Sequence, residues 1–481
     1  MPPSRPPFRA LLSVLALLLT LLPGDARSQE IALSEIFYAA TNNSPLATWF
    51  ELHNPSSNLV ALAGWRVTRG VEFLFPNDAR IEPGGYLVVA ADPPTFRSLH
   101  PSVSAVVGGW TGFLSPGGEE IRIEDANFRV VDEVTYAAEG DWAVRRLGPP
   151  DGFRRQGWEW HAEHRGLGAS LERIHAGLPN EYGQNWGSST VPGGTPGRPN
   201  SIARTATAPL VVDVRHLPTL PRSTDTVLVT ATLIDDDATA PGATLFWRVD
   251  GETEFRTAAL RDDGTGGDPM AGDGRYTARL PAHPDGTLVE YRLVANDAAG
   301  ASRAYPDVDT SGAGDRSANL LYRVEDTAVA AEQPVFRLWM PRAEYAYLAD
   351  AIWSGSPNSD AAVHGAFVAS DAGLDGETTP QIRQLCGFRN RGHGTRTVVP
   401  HNFRVDFPAD RPWKARDALN LNTHYTHSQQ VGSTLFRRLG IPVPESRPVQ
   451  VRVNGAQLAK AGQEQFGSYA ANEPTDDRFV E

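Results

Sequence analysis

Between residues 31 and 136, short apolar runs alternate with polar positions and are cut by turn formers. IALSEIFYA (31–39), TWFELHN (48–54), LAGWRVT (62–68), GGYLVVAA (84–91), EEIRIEDA (119–126) and VVDEVTY (130–136) each read as a strand. Asn54-Pro55, Glu82-Pro83-Gly84-Gly85 and Ser115-Pro116-Gly117-Gly118 mark turns between them. In Glu120-Ile121-Arg122-Ile123-Glu124 the alternation is strict, which predicts one wet face. Strands at this spacing predict a β-sandwich over 30–187. SSTVPGGTPGRPNS (188–201) has turn formers and no apolar period, and is expected to open a linker that runs to 208. The period of two returns in TVLVTATLID, ATLFWRVDG, RYTARLP and TLVEYRLVANDAAG, with Val227, Val229, Ala231 and Leu233 on one face. A second sandwich is expected over 209–325.

From 334 the pattern mixes periods. PVFRLWM reads as a strand, and Pro341 opens a helix with Tyr345, Leu348 and Ile352 on one side. A second helix is predicted with Ser428 as its cap and Val431, Leu435 and Leu439 at successive fourth positions, Phe436 beside them. Arg437 and Arg438 suit the negative end of its dipole, and Gly440 stops it. RPVQVRVNG then reads as a strand entering an Asn454-Gly455 turn. Residues 334–481 are therefore expected to form a third, α+β domain, and the chain as a whole to be mainly β.

Composition sharpens this picture. A length of 481 residues suggests about three domains. Arg5 and Arg9 precede an unbroken apolar run, Leu11 to Leu22, and Ala26-Arg27-Ser28 supplies small residues at a cleavage site, so 1–28 reads as a secretory signal. No second apolar span of that kind follows, so no transmembrane segment is expected after its removal. Losing Arg5, Arg9, Arg27 and Asp25 takes the net charge from −13 to −15. Such an acidic chain repels phosphate backbones, which argues against general nucleic-acid binding and leaves room for a local basic patch. The lone Cys386 allows no internal disulfide, so the exported fold must rest on core burial. Cys386 has no flanking His or second Cys and reads as an inert buried thiol.

Four stretches carry candidate chemistry. RDDGTGGDPMAGDG (261–274) offers Asp262, Asp263, Asp268 and Asp273 as hard ligands for calcium; the same residues also make turns without an ion, and the spacing is not that of an EF-hand. DWAVRRLGPPDGFRRQGWEWHAEHR (141–165) interleaves arginine and tryptophan. Trp142, Trp158, Trp160, Arg154 and Arg155 are candidates for gripping an anionic glycan, or for packing on the sandwich edge. RNRGHGTRTVVPHNFRVDF (389–407) places Arg391, Gly392, Gly394, Arg396 and Arg404 where backbone amides and guanidiniums can cradle a phosphate, or where a turn simply joins strands 382–390 and 402–407. His424 and His427 read as loop residues before the helix cap, and Glu51 as a structural carboxylate. No Gly-x-Ser-x-Gly elbow, His-Glu-x-x-His or paired-cysteine motif occurs.

Two resemblances follow from motif order. SEIFY, WFELHNP, LAGWRVT, IEPGGYLVVA, LSPGGEEIRIEDA, VVDEVTY, GASLERI and NWGSS, over residues 31–190, resemble the lamin-tail domain family. That implies an immunoglobulin-like sandwich used for accessory or attachment purposes. The second segment resembles the immunoglobulin- or fibronectin-like spacers of bacterial surface proteins. FRNRGHGTR, HNFRVDF, ALNLNTHYTHS, LFRRLGIPVPESRPVQVRVNG and FGSYAANEPTDDRFVE, over residues 335–481, resemble the CotH family of atypical protein kinases. That implies phosphorylation of exported proteins with ATP and Mg. The family's metal-binding and catalytic acidic residues lie beyond the matched motifs. The expectation is thus a non-catalytic, exported bacterial protein, secreted or at the cell surface or periplasm, whose sandwiches present the amino-terminal portion of a CotH-like domain to an exported protein or envelope component. The alternatives are an amino-terminal fragment of an active secreted kinase and a glycan-binding surface module. Expression in an exporting host is expected to yield a product beginning just after Ser28, read by intact mass; a product retaining Leu11 to Leu22 contradicts the signal assignment.

Overall fold

Strand Ala32–Phe37 sits inside a six-stranded sheet ordered Trp186–Ser188, Leu171–Arg173, Ala32–Phe37, Trp49–His53, Tyr86–Ala90, Val106–Gly108. The computed structural model describes residues 31–237, 239–327, 329, 332–371, 379–461 and 465–475; the proposed signal, 1–28, lies outside them. A second sheet, Val130–Ala137, Gly118–Glu124, Arg66–Arg69, Val71–Leu74, Thr111–Gly112, closes the sandwich. Leu33, Phe50, Leu52, Trp65, Val67, Ile121, Ile123 and Val134 fill the space between them. The predicted wet face is present: Arg122 pairs with Glu120 at 2.7 Å and Glu133 at 2.8 Å while Ile121 and Ile123 point inward. Residues 191–202, expected as linker, instead fold back onto the outer face of the six-stranded sheet, where Asn200 donates to the carbonyls of Ser34 and Arg173.

The second unit is also a sandwich. One sheet is Leu210–Leu217, Val227–Ile234, Arg275–Leu280; the other is Arg256–Leu260, Gly242–Val249, Leu288–Asn296, Ser302–Tyr305, with Leu320–Arg323 also paired to Leu288–Asn296. Val227, Val229, Ala231 and Leu233 face its core, as their period of two requires.

The third unit differs from the α+β lobe expected. Strands Val335–Trp339, Val363–Ser370, Gln381–Asn390, Phe403–Asp406, Ala418–Asn422, Tyr469–Asn472 and Ser446–Val453 pair in that order, and Ser446–Val453 then pairs in parallel with Val335–Trp339. The sheet closes on itself as a barrel, which leaves none of the seven with a free edge. Phe336, Phe367, Phe388, Phe403, Val405, Leu421, Val451 and Tyr469 occupy its interior. After helix α1, Pro93–Leu99, which buries Phe96 in the first unit, helix α2, Arg342–Ala346, continues as a π-helix through Ser354 and buries Leu348 and Ile352; Tyr345 is exposed. Helix α3 is Thr426–Arg438, so it begins before the expected cap and takes in His427 and Ser428. It buries Thr426 and Ser433, while Val431, Leu435, Phe436 and Leu439 all face solvent. Periodicity identified the apolar stripe but not the side on which it lies.

The three units are packed into one another. Trp339, Ala366, Val368 and Leu385, on the outer wall of the barrel, belong to the same core as Leu293 and Leu321 of the second sandwich. Gln384 donates to the Leu321 carbonyl and accepts from its amide, as a neighbouring strand would. Residues 144–147 and 158–161 form a hairpin, and its first strand pairs in parallel with Val308–Asp309 of the second unit. At the centre stands Glu344, fully buried. Arg316 of the second unit meets it with two bonds, 2.8 and 3.0 Å. Trp158 of the first donates its indole N–H at 2.9 Å, and the His364 amide of the barrel donates at 2.9 Å. Arg316 also donates to the Gln156 carbonyl and covers the Tyr347 ring at 4.0 Å. Removing one partner of a buried, fully bonded ion pair leaves the other charge stranded. Glu344→Ala is therefore expected to cost about 3–5 kcal/mol and to split one calorimetric transition into several; an unchanged endotherm contradicts this account.

Candidate functional site

The arginine loop lies between two antiparallel strands, Gln381–Asn390 and Phe403–Asp406, registered from Gly387 opposite Asp406 to Asn390 opposite Phe403. Residues 391–402 bridge them. Gly392 has φ +114°, and a Cβ there would stand 2.3 Å from Thr395 Oγ1, so the first turn of the loop needs glycine. Gly394 meets no neighbour within 4 Å and lies exposed. Arg396 is tied down on three sides. Its Nε donates to the Gly392 carbonyl at 2.6 Å, Nη1 to the Ser359 carbonyl at 3.0 Å and Nη2 to Asp360 at 2.7 Å. Arg404 donates to Asp406 at 2.6 Å.

Arg389, which sequence reasoning passed over, reaches both Asp360 at 3.4 Å and Asp406 at 3.2 Å. Three guanidiniums thus share two carboxylates, and a fourth, that of Arg391, lies beside them. Arg391 is the one left with a neutral partner, the Asn422 side-chain oxygen. Burial, and then repulsion from Arg404, Arg389 and Arg396, hold its guanidinium below the ordinary value. The structure brings Arg391, Arg396 and Arg404 together as the sequence suggested, with a net excess of positive charge. His401 stacks on Trp353 at 4.0 Å, and burial lowers its pKa, so it adds no charge at neutral pH.

In the aspartate loop the carboxylate oxygens of Asp262, Asp268 and Asp273 lie within 4.8 Å of one another. Asp262 accepts from the amides of Gly272 at 2.7 Å, Asp273 at 3.1 Å and Gly274 at 3.0 Å, and Asp268 from Gly264 at 2.7 Å. Asp263 does not join them: it bonds Thr265 and Arg261. Three hard oxygen donors at this separation fit a cation such as calcium.

The arginine–tryptophan segment serves the joints between units. Trp142 packs in the first core against Trp186. Trp158 is buried on Glu344, and Trp160 is half-buried beneath the Arg145 guanidinium at 4.9 Å. Arg155 donates to Ser356, and Arg154 is exposed in a left-handed turn at φ +61°. Trp142 and Trp158 therefore offer no indole face to a glycan. A cavity of about 670 Å³ opens where the three units meet, lined by Glu119, Asp141, Glu181, Asp213, Asp410 and Arg411. Most of its charges are already engaged: Arg411 binds Asp141 and the Tyr305 hydroxyl, and Asp213 pairs with Arg215. Cys386 is buried, and burial pushes its thiol up to about 12, which makes it inert.

Among the described residues no helix is long and apolar enough to cross a membrane. No curated protein matches the chain. Among solved structures, the cycloalternan-forming enzyme of Listeria monocytogenes, captured with a pentasaccharide substrate, is 9% identical with a TM-score of 0.17, over 44% of this chain and 20% of that one. Native Escherichia coli alpha-2-macroglobulin is 10% identical with a TM-score of 0.16, over 82% and 27%. This chain spans about a fifth of the Listeria enzyme's length, and at these TM-scores the likeness carries no functional argument. The family model for the lamin tail domain matches residues 25–138, a stretch that takes in most of the strands of the first sandwich.

Proposed function

We propose that the chain is an exported assembly in which the lamin-tail and immunoglobulin-like sandwiches hold a CotH-like third domain at a fixed orientation, and that the arginine loop of that domain binds an anionic, phosphate-bearing group. The observation that carries this reading is the imbalance at Arg391, which bonds the neutral Asn422 side chain while three neighbouring arginines share Asp360 and Asp406. Fixed excess charge in a partly buried loop favours an anion with several acceptor oxygens. Phosphoryl transfer also needs metal carboxylates and a base. Asp360 and Asp406 are each committed to arginines, so the role assigned to this loop is binding. The outward apolar stripe of α3, Val431, Leu435, Phe436 and Leu439, supports a domain that works against a further polypeptide surface.

ATP and inorganic triphosphate are expected to raise the thermal midpoint at low ionic strength. Arg391→Ala should lose most of that shift while remaining folded, because it relieves repulsion among its neighbours. Equal shifts in the two proteins, or none in either, contradict the assignment.

Calcium is proposed as the ligand of the aspartate loop. At a free concentration one hundred times its dissociation constant it should add about 2.7 kcal/mol to the stability of the second sandwich. Asp262→Asn is expected to abolish the gain and Asp263→Asn to leave it intact, measured by melting with calcium against chelator; equal responses in the two variants contradict the site.

A further inference from the structure

Glu51, Glu35 and Glu172 stand directly opposite one another on three adjacent strands of the first sandwich. A bulge between Leu33 and Glu35 changes parity, so Leu33 faces the core and Glu35 the other side. All three carboxyls are nonetheless fully buried, because segment 193–202 lies over them. The Thr195 amide donates to Glu35 at 2.7 Å, the Gly197 amide to Glu51 at 2.5 Å and the Ile202 amide to Glu172 at 3.1 Å. Hydroxyls complete the set: Ser170 to Glu35 at 2.5 Å, Ser34 to Glu51 at 3.0 Å and Ser201 to Glu172 at 2.8 Å. The fit is close. A Cβ on Gly194 would stand 2.2 Å from Glu35 Oε1.

Among the described residues no lysine, arginine or histidine lies within ion-pair distance of the three. Arg173, next to Glu172, spends its guanidinium on the carbonyls of Ala176 and Leu178. His53 and Tyr86 stack on each other at 4.5 Å, and burial lowers the pKa of His53 and of His100 near Gly193, leaving both imidazoles neutral. Arg198, on the covering segment itself, is exposed. Three adjacent buried anions without a counter-ion repel strongly.

One bond pattern shows how the row relieves this. Thr195 Oγ1 lies 3.2 Å from Glu35 Oε2 and 2.6 Å from Glu172 Oε1. A hydroxyl carries one hydrogen and can donate to only one of them. The other contact is a hydrogen bond only if a carboxyl O–H donates to Thr195. Burial independently pushes Glu35 up to about 7, and burial with the neighbouring Glu35 and Glu172 raises Glu51 well above the ordinary range.

We propose that this row is a proton-held latch: segment 193–202 stays seated while the glutamates keep a proton and lifts when they lose it, freeing the stretch that leads into the second sandwich. The direction follows from linkage. A carboxyl raised in the folded state contributes stability in full below its ordinary value of 4.5, and loses it as pH rises through about 7. The latch therefore holds in acid and is loosened by the time pH reaches about 7.

Hydrogen exchange by mass spectrometry on the full chain, over a pH range that brackets 4.5 and about 7 and corrected for intrinsic rates, tests it. Protection of the 193–202 amides should fall with a slope approaching about tenfold per pH unit between the ordinary value of 4.5 and about 7, and level off above it, while the hairpin of residues 118–137 stays constant. Glu35→Gln keeps the shape without the titration and should flatten the profile; Glu51→Gln serves if the first variant does not fold. A flat wild-type profile, or an unchanged slope in both variants, overturns the latch. Protection lost on acidification or on chelation would show a bound cation in place of the proton and would equally overturn it.

Discussion

The carboxylate of Glu344 is the point on which the arrangement of the three units depends. It is buried, yet its bonds come from an indole of the first unit, a guanidinium of the second and an amide of the third. Such a group is costly to bury alone and tolerable only when every partner is in place. Its satisfaction therefore requires the units to adopt one mutual placement. Misplacing any of them by an ångström strands a charge, whereas a purely apolar contact would tolerate sliding. The shared core around Trp339 and Val368 supplies burial; Glu344 and Arg316 supply register.

The segment 141–165 connects this geometry to sequence. Its arginines and tryptophans resemble a ligand grip because an interdomain joint uses the same side chains for the same reasons: large area, few rotatable bonds and directional N–H groups. A second joint repeats the pattern with smaller parts. Arg411 of the barrel binds Asp141 of the first unit and the Tyr305 hydroxyl of the second. Charged side chains at both joints are spent inside the molecule, whereas in the loop around Arg391 positive charge exceeds its carboxylate partners.

What the sequence disclosed depended on distance along the chain. Strands with a strict period of two, such as 119–126 and 226–235, were legible, because alternation reports a half-buried sheet directly. The arginine loop was legible as a cluster, but Asp360 and Arg389 were missed, since neutralisation is settled by residues brought in from elsewhere. Barrel closure was not legible at all, because the parallel pairing of Val335–Trp339 with Ser446–Val453 has no local signature. Glu344 is an acid in the first turn of its helix, and nothing in the local pattern marks it as a joint. The stripe of α3 was found, but its orientation is a property of the neighbours that Thr426 and Ser433 meet. The Gly-Thr-Pro-Gly stretch read as a linker because its amides find their acceptors on strands far upstream.

Barrel closure also sets an order of events. Val335 cannot find Gln450 until nearly the whole third unit has been synthesised, and a ring missing one stave has two open edges. A nascent chain therefore carries incompletely paired strands, rich in phenylalanine and valine, until a late residue arrives. Whatever handles the polypeptide before that moment must keep those edges from pairing with a neighbour's.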